Sequence, residues 1–111
     1  MIFTYWVYPA RPVERDERTV ELPPKPSYRQ LCQLLDPLFQ RRHFEHVTVL
    51  YEGRRADMFV DERGRLDDLP FNEAATAIYR NNWLTQYPGT NPDSLHWIAG
   101  LAVLFEKIVW T

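Results

Sequence analysis

The hydrophobic pattern changes period several times along the chain, and each change predicts an element. Residues 2–8 (Ile-Phe-Thr-Tyr-Trp-Val-Tyr) are β-branched or aromatic throughout, as in a strand covered on both faces. Residues 9–18 carry two prolines among alternating charges and predict a loop. In residues 18–22 apolar Val20 and Leu22 alternate with polar neighbours, the pattern of a half-buried strand. The two strands predict a hairpin with a long loop.

After Pro23, Pro24 and Pro26 the period becomes helical. Ser27 is the expected N-cap and Gln30 completes a capping box. Leu31, Leu34, Leu35, Leu38 and Phe39 form the apolar stripe. Pro37 interrupts it: either the helix kinks there, or Asp36 caps a second short helix with Pro37 in its first turn, the reading favoured slightly here.

Residues 44–51 and 55–60 predict two strands joined by Glu52-Gly53-Arg54. Val47, Val49 and Tyr51 share one face of the first, with His46, Thr48 and Leu50 on the other; in the second, Ala56, Met58 and Val60 oppose Arg55, Asp57 and Phe59. Asp61-Glu62-Arg63-Gly64 predicts a turn whose glycine takes a positive φ. Asn72 then caps a helix with Ala75, Ile78, Tyr79, Asn82 and Trp83 on one stripe. Residues 87–94 form a loop, and residues 97–110 a long final strand bulged near Gly100. The order β-β-α-β-β-α-β predicts an α+β domain: a single layer of two to three helices packed on a five-stranded, mainly antiparallel sheet.

Composition narrows the function classes. A chain of 111 residues, 45% hydrophobic and 14% aromatic, predicts one globular domain with an ordinary core. The longest apolar run is too short to span a bilayer and no signal segment opens the chain, so a soluble, cytoplasmic protein is expected. The single Cys32 fits a reducing compartment. Net charge is −2: residues 1–55 hold 9 basic and 7 acidic side chains, and the remainder 4 and 8. So mild an asymmetry argues against a sequence-independent nucleic-acid binder and against a DNA mimic.

One stretch resembles a known family. Asp61-Glu62-Arg63-Gly64, then Leu69-Pro70, Asn72, Ala75, Thr76 and Tyr79, followed by Asp93 and Gly100, resemble the turn, helix and final strand of a bacteriophage- and plasmid-borne family known only as a domain of unknown function. The resemblance covers about half the chain. It implies an accessory gene of a mobile element, and such genes often encode small proteins that bind host machinery, including defence systems.

Candidate chemistry is sparse. Asn72 reads as a cap, Thr76 and Tyr79 as packing residues, Cys32 as a small buried hydrophobe, and His96 as structural. His43 and His46 lie three apart at a strand entry, where odd separations point to opposite faces, and no cysteine pair or carboxylate cluster completes a metal site. Asp57, Asp61, Glu62, Asp67 and Asp68 lack calcium-loop spacing. With four glycines the chain offers no phosphate-cradling loop. No catalytic residue, cofactor or metal is predicted; the chain reads as a non-enzyme.

Binding surfaces are the better expectation. Two helices in one layer leave the opposite sheet face open, with Phe59, Leu50 and one set of first-strand side chains on it, unless the 9–18 loop folds back over that face. An open apolar face predicts a self-association or partner site, hence a homodimer or a host-protein complex. The second candidate is the pair of arginine doublets, Arg41-Arg42 and Arg54-Arg55. If they converge with Trp83 or Tyr87, an anionic partner, including nucleic acid, becomes the alternative.

Overall fold

The computed structural model describes residues 1–11 and 14–110; Pro12 and Val13, in the predicted 9–18 loop, lie outside the described residues. Five strands and two helices follow the expected order: β1 (Ile2–Tyr8), β2 (Asp16–Glu21), α1 (Tyr28–Leu38), β3 (Phe44–Tyr51), β4 (Arg54–Asp61), α2 (Glu73–Gln86) and β5 (Ala102–Phe105), with a short 3₁₀ turn (Pro92–Ser94) before β5. All pairings are antiparallel, in the order β2-β1-β5-β4-β3.

The helices do not share a layer. Leu31, Leu35 and Phe39 of the α1 region pack with Phe3, Tyr5, Val7, Phe59, Val103 and Phe105. Ala75, Ile78 and Tyr79 of α2 pack with Trp6, Tyr8, Val49, Ala56, Met58 and Leu104. These are the alternate faces of β1, β4 and β5, so one helix covers each side of the sheet. The expected single helical layer is thereby corrected, and with it the open apolar face. The doubly apolar pattern of β1 had pointed this way, because a strand greasy on both sides needs a cover on both.

Local chemistry explains the elements. At α1 the capping box is complete: Ser27 Oγ accepts from Gln30 N and Gln30 Oε1 accepts from Ser27 N. Neither expected break at Pro37 splits the helix. Pro37 lies in the last turn, where its missing N–H removes one bond of a helix that ends one residue later. Gln40 and Arg41 then take left-handed φ, and Arg41 N donates to Asp36 O to close the end. Glu52 and Gly53, both at positive φ, make a two-residue hairpin turn that matches strand twist.

Two further expectations change. Gly64 is not at positive φ; it is glycine because a Cβ there would lie 2.1 Å from Ala99 O. The long final strand shrinks to β5. Gly100 sits at φ 88°, and the chain before it pairs with the segment entering α2 through Asn72 N→Ile98 O and Gly100 N→Pro70 O. Beyond β5 the chain leaves the ladder, and Val109 N and Trp110 N both donate to Oδ2 of the fully buried Asp57.

Candidate functional site

Besides the packing of Ala75, Ile78 and Tyr79, α2 is tied down by polar side chains that bond to neighbouring backbone. Asn72, 1% exposed, accepts from Ala75 N as the N-cap and donates through Nδ2 to Tyr8 O (3.0 Å) and Gly100 O (2.8 Å). Thr76 Oγ1 donates to Ile98 O and accepts from Ile98 N. Asn82 Oδ1 accepts from Leu50 N (3.0 Å) while its Nδ2 donates to Thr48 O (3.4 Å), so one amide imitates a neighbouring strand along the edge of β3. Arg80 donates to Leu95 O and His96 O, tying the loop before β5 to the helix. Among the described residues every buried side-chain nitrogen and oxygen has a hydrogen-bond partner. The capping role of Asn72 and the satisfied hydroxyl of Thr76 are as expected.

These ties leave a groove of about 580 Å³ between α2, the β3 edge and the loop around residue 97. Its floor includes Val47, Tyr79 and Ile98. Its walls are aromatic: Trp83, Tyr87 and Trp97 are 37%, 53% and 44% exposed. Trp83 and Tyr87 pack with ring centroids 4.9 Å apart. Arg65 lies over Trp97, 5.2 Å from the ring centroid, and donates to His96 Nδ1 at 2.7 Å. A guanidinium cannot accept, so in this contact His96 Nδ1 is the acceptor. Arg55 and Glu45 complete the rim.

The residues singled out from sequence separate. Arg55 and Tyr87 line this groove. Arg54 is exposed beside the turn, outside the groove lining, and Arg41 is exposed at the end of α1. Arg42 is consumed in ion pairs, to Asp61 at 2.6 Å and to Asp67 at 2.7 Å. Its guanidinium holds the Asp67 carboxyl below its ordinary range, and both carboxylates push Arg42 up. β3 lies between the doublets, so they form no common basic patch. Phe59, expected on an open face, is 2% exposed beneath α1, edge-on to Phe44 and Phe105. Phe59 is therefore core, because α1 occupies the side its side chain points to.

Elsewhere on the α2 side, Arg15 in the described part of the 9–18 loop covers Trp6, Tyr8 and Tyr51. Arg15 lies 4.5 Å from the Trp6 ring centroid and donates to the Tyr8 and Tyr51 hydroxyls. Those hydroxyls push the guanidinium upward in proton affinity; burial pushes the Tyr8 phenol upward against the opposing pull of Arg15. Trp6 and Tyr51 bring their ring centroids within 5.3 Å although β5 and β4 lie between their strands.

Several expectations about single residues change. Cys32 is free and partly buried rather than fully buried. His46 projects from β3 and meets Asp57 Oδ1 at 2.6 Å. Among the described residues no three His, Cys, Asp or Glu side chains gather as a ligand set, and no helix is long and apolar enough to cross a membrane. Sequence reasoning missed Arg65 and Trp97 as groove residues. Trp97 is expected in the final strand, and nothing in the sequence assigns Arg65 a role. The one available signal was Asn82 within an apolar stripe, which marks a helix partly leaving the core.

Comparison of the chain with protein-family models, with curated proteins and with solved structures finds no match.

Proposed function

We propose that the protein is a binding module whose α2–β3 groove docks a partner protein. The observation that carries this reading is the gathering of Trp83, Tyr87 and Trp97, each more than one third exposed, around one concavity. Large aromatic surfaces left in a groove are what protein recognition sites use as anchors. The polar groups that a reaction would draw on, Asn72, Thr76, Asn82 and Asp57, are instead bonded to backbone. That supports binding over catalysis. The likeness of the 61–79 stretch to the phage- and plasmid-borne family supports placing the partner in a host cell, with a defence complex as a natural target.

The test is affinity capture from a host lysate with the wild-type chain and with Trp83→Ala/Trp97→Ala, the latter first shown to be folded by circular dichroism. The reading expects a stoichiometric protein on the wild type that the double variant loses. Equal capture by both, or turnover of a metabolite by the purified chain, overturns it.

A further inference from the structure

Resting on that reading of the groove, we propose that the segment it receives is acidic: an apolar or aromatic side chain enters between Trp83, Tyr87 and Trp97, and flanking carboxylates meet Arg55 and Arg65. The argument is one of charge left unmatched. Ion pairs take up Arg18, Arg42 and Arg63; among the described arginines without a carboxylate within 4.0 Å, Arg55 and Arg65 are the two that line the groove. Both border the aromatic walls. Arg65 is also held in place. Trp97 supports its face and His96 takes one of its five N–H donors, so the remaining donors are available in a fixed orientation.

The groove also restricts how a segment binds. Asn82 occupies Leu50 N and Thr48 O, so an incoming chain cannot extend the sheet at that point. Recognition there falls to side chains. A nucleic acid fits less well, because the groove offers two arginines rather than a row tracking successive phosphates.

The test uses fluorescence anisotropy with four labelled probes. One is an eight-residue peptide with a Phe-Leu pair flanked by three aspartates on each side; the second and third replace every aspartate with asparagine or lysine; the fourth is oligothymidine. The acidic probe is expected to bind about tenfold tighter than the asparagine probe at low salt, with the advantage shrinking as salt rises. Arg55→Gln and Arg65→Gln are each expected to lower acidic-probe affinity roughly threefold and together to erase the preference. Trp97→Ala is expected to weaken both the acidic and the asparagine probe.

Equal affinity for the acidic and neutral probes, preference for lysine, no binding of any peptide, or a preference untouched by the double arginine variant overturns the proposal. Tight, steeply salt-dependent binding of oligothymidine overturns it in favour of a nucleic-acid ligand. The two readings fail separately. If lysate capture still depends on Trp83 and Trp97 while the acidic probe shows no advantage, the groove stands and its ligand chemistry falls. If capture is also independent of those tryptophans, both fall.

Discussion

The two faces of one sheet are covered by different means. On the α1 side, leucines from a strongly striped helix meet an aromatic cluster in which Phe59 contacts both Phe44 and Phe105 edge-on. On the α2 side the wholly buried helix positions are Ala75, Thr76 and Asn82, small or polar, and the strands beneath present Ala56, Met58 and Ala102. The first face is held by apolar area; the second is fastened by Asn72, Thr76, Asn82 and Arg80 bonding to backbone. Because Ile78, Tyr79 and these polar ties attach α2, Trp83 and Tyr87 can stay in a groove. A helix secured by polar ties leaves its bulky side chains free for other surfaces.

Substitutions rank this contrast. Phe59→Ala should cost about 4 kcal/mol, since a buried ring is lost and the surrounding cluster cannot collapse onto the space; urea unfolding measures it, and a cost under about 1 kcal/mol would break the apolar account of the α1 face. Asn72→Ala should cost about 3 kcal/mol, from a lost cap and two buried carbonyls left without a donor. Asn72→Asp should not rescue it, because a carboxylate cannot donate to Tyr8 O or Gly100 O.

Asn82→Ala should cost about 1–2 kcal/mol, and hydrogen exchange should show Leu50 N–H losing protection ahead of the β4 amides. Trp83→Ala, largely outside the core, should change stability by about 1 kcal/mol or less while removing partner capture. Should Trp83→Ala unfold the chain, the division between anchoring and recognition on α2 would be wrong.

A fifth measurement lies outside both faces. Arg42 lowers the Asp67 carboxyl, so folded Asp67 holds fewer protons than unfolded Asp67 across the acid range. That contribution is complete above the ordinary carboxylate range and is lost as pH falls through the lowered folded value. The gap in Tm between wild type and Arg42→Gln should therefore narrow as pH falls below the ordinary carboxylate range. A gap independent of pH would mean that the pair contributes nothing.

Where local chemistry decides the outcome, the elements were legible. Ser27 and Gln30 announce α1, Asn72 announces α2, and the alternation in residues 44–60 assigns both strands their faces. The final strand was not legible. Ile98, Leu101, Val103 and Val109 are apolar for different reasons, and only the crossing of the Pro70 segment and the Asp57 carboxylate show where pairing stops. Phe59 misled for a related reason: alternation gives the face, not what covers it. Of the residues lining the groove, Arg55, Tyr87 and Trp83 are ones the sequence singles out as binding candidates; Arg65 and Trp97 are not, because they come from segments with no periodic signal.

By itself the amino-acid sequence determined the type and order of the strands and the two main helices, the caps Ser27 and Asn72, and the two-sided apolar character of the central strands. These follow from steric and hydrogen-bonding preferences that act over a few residues. Tertiary structure alone decided that α1 and α2 take opposite faces, that Arg42 is neutralised while Arg55 is not, and that Trp83, Tyr87, Trp97 and Arg65 meet. Those outcomes depend on sheet order, twist and long-range closure, which bring together residues far apart along the chain.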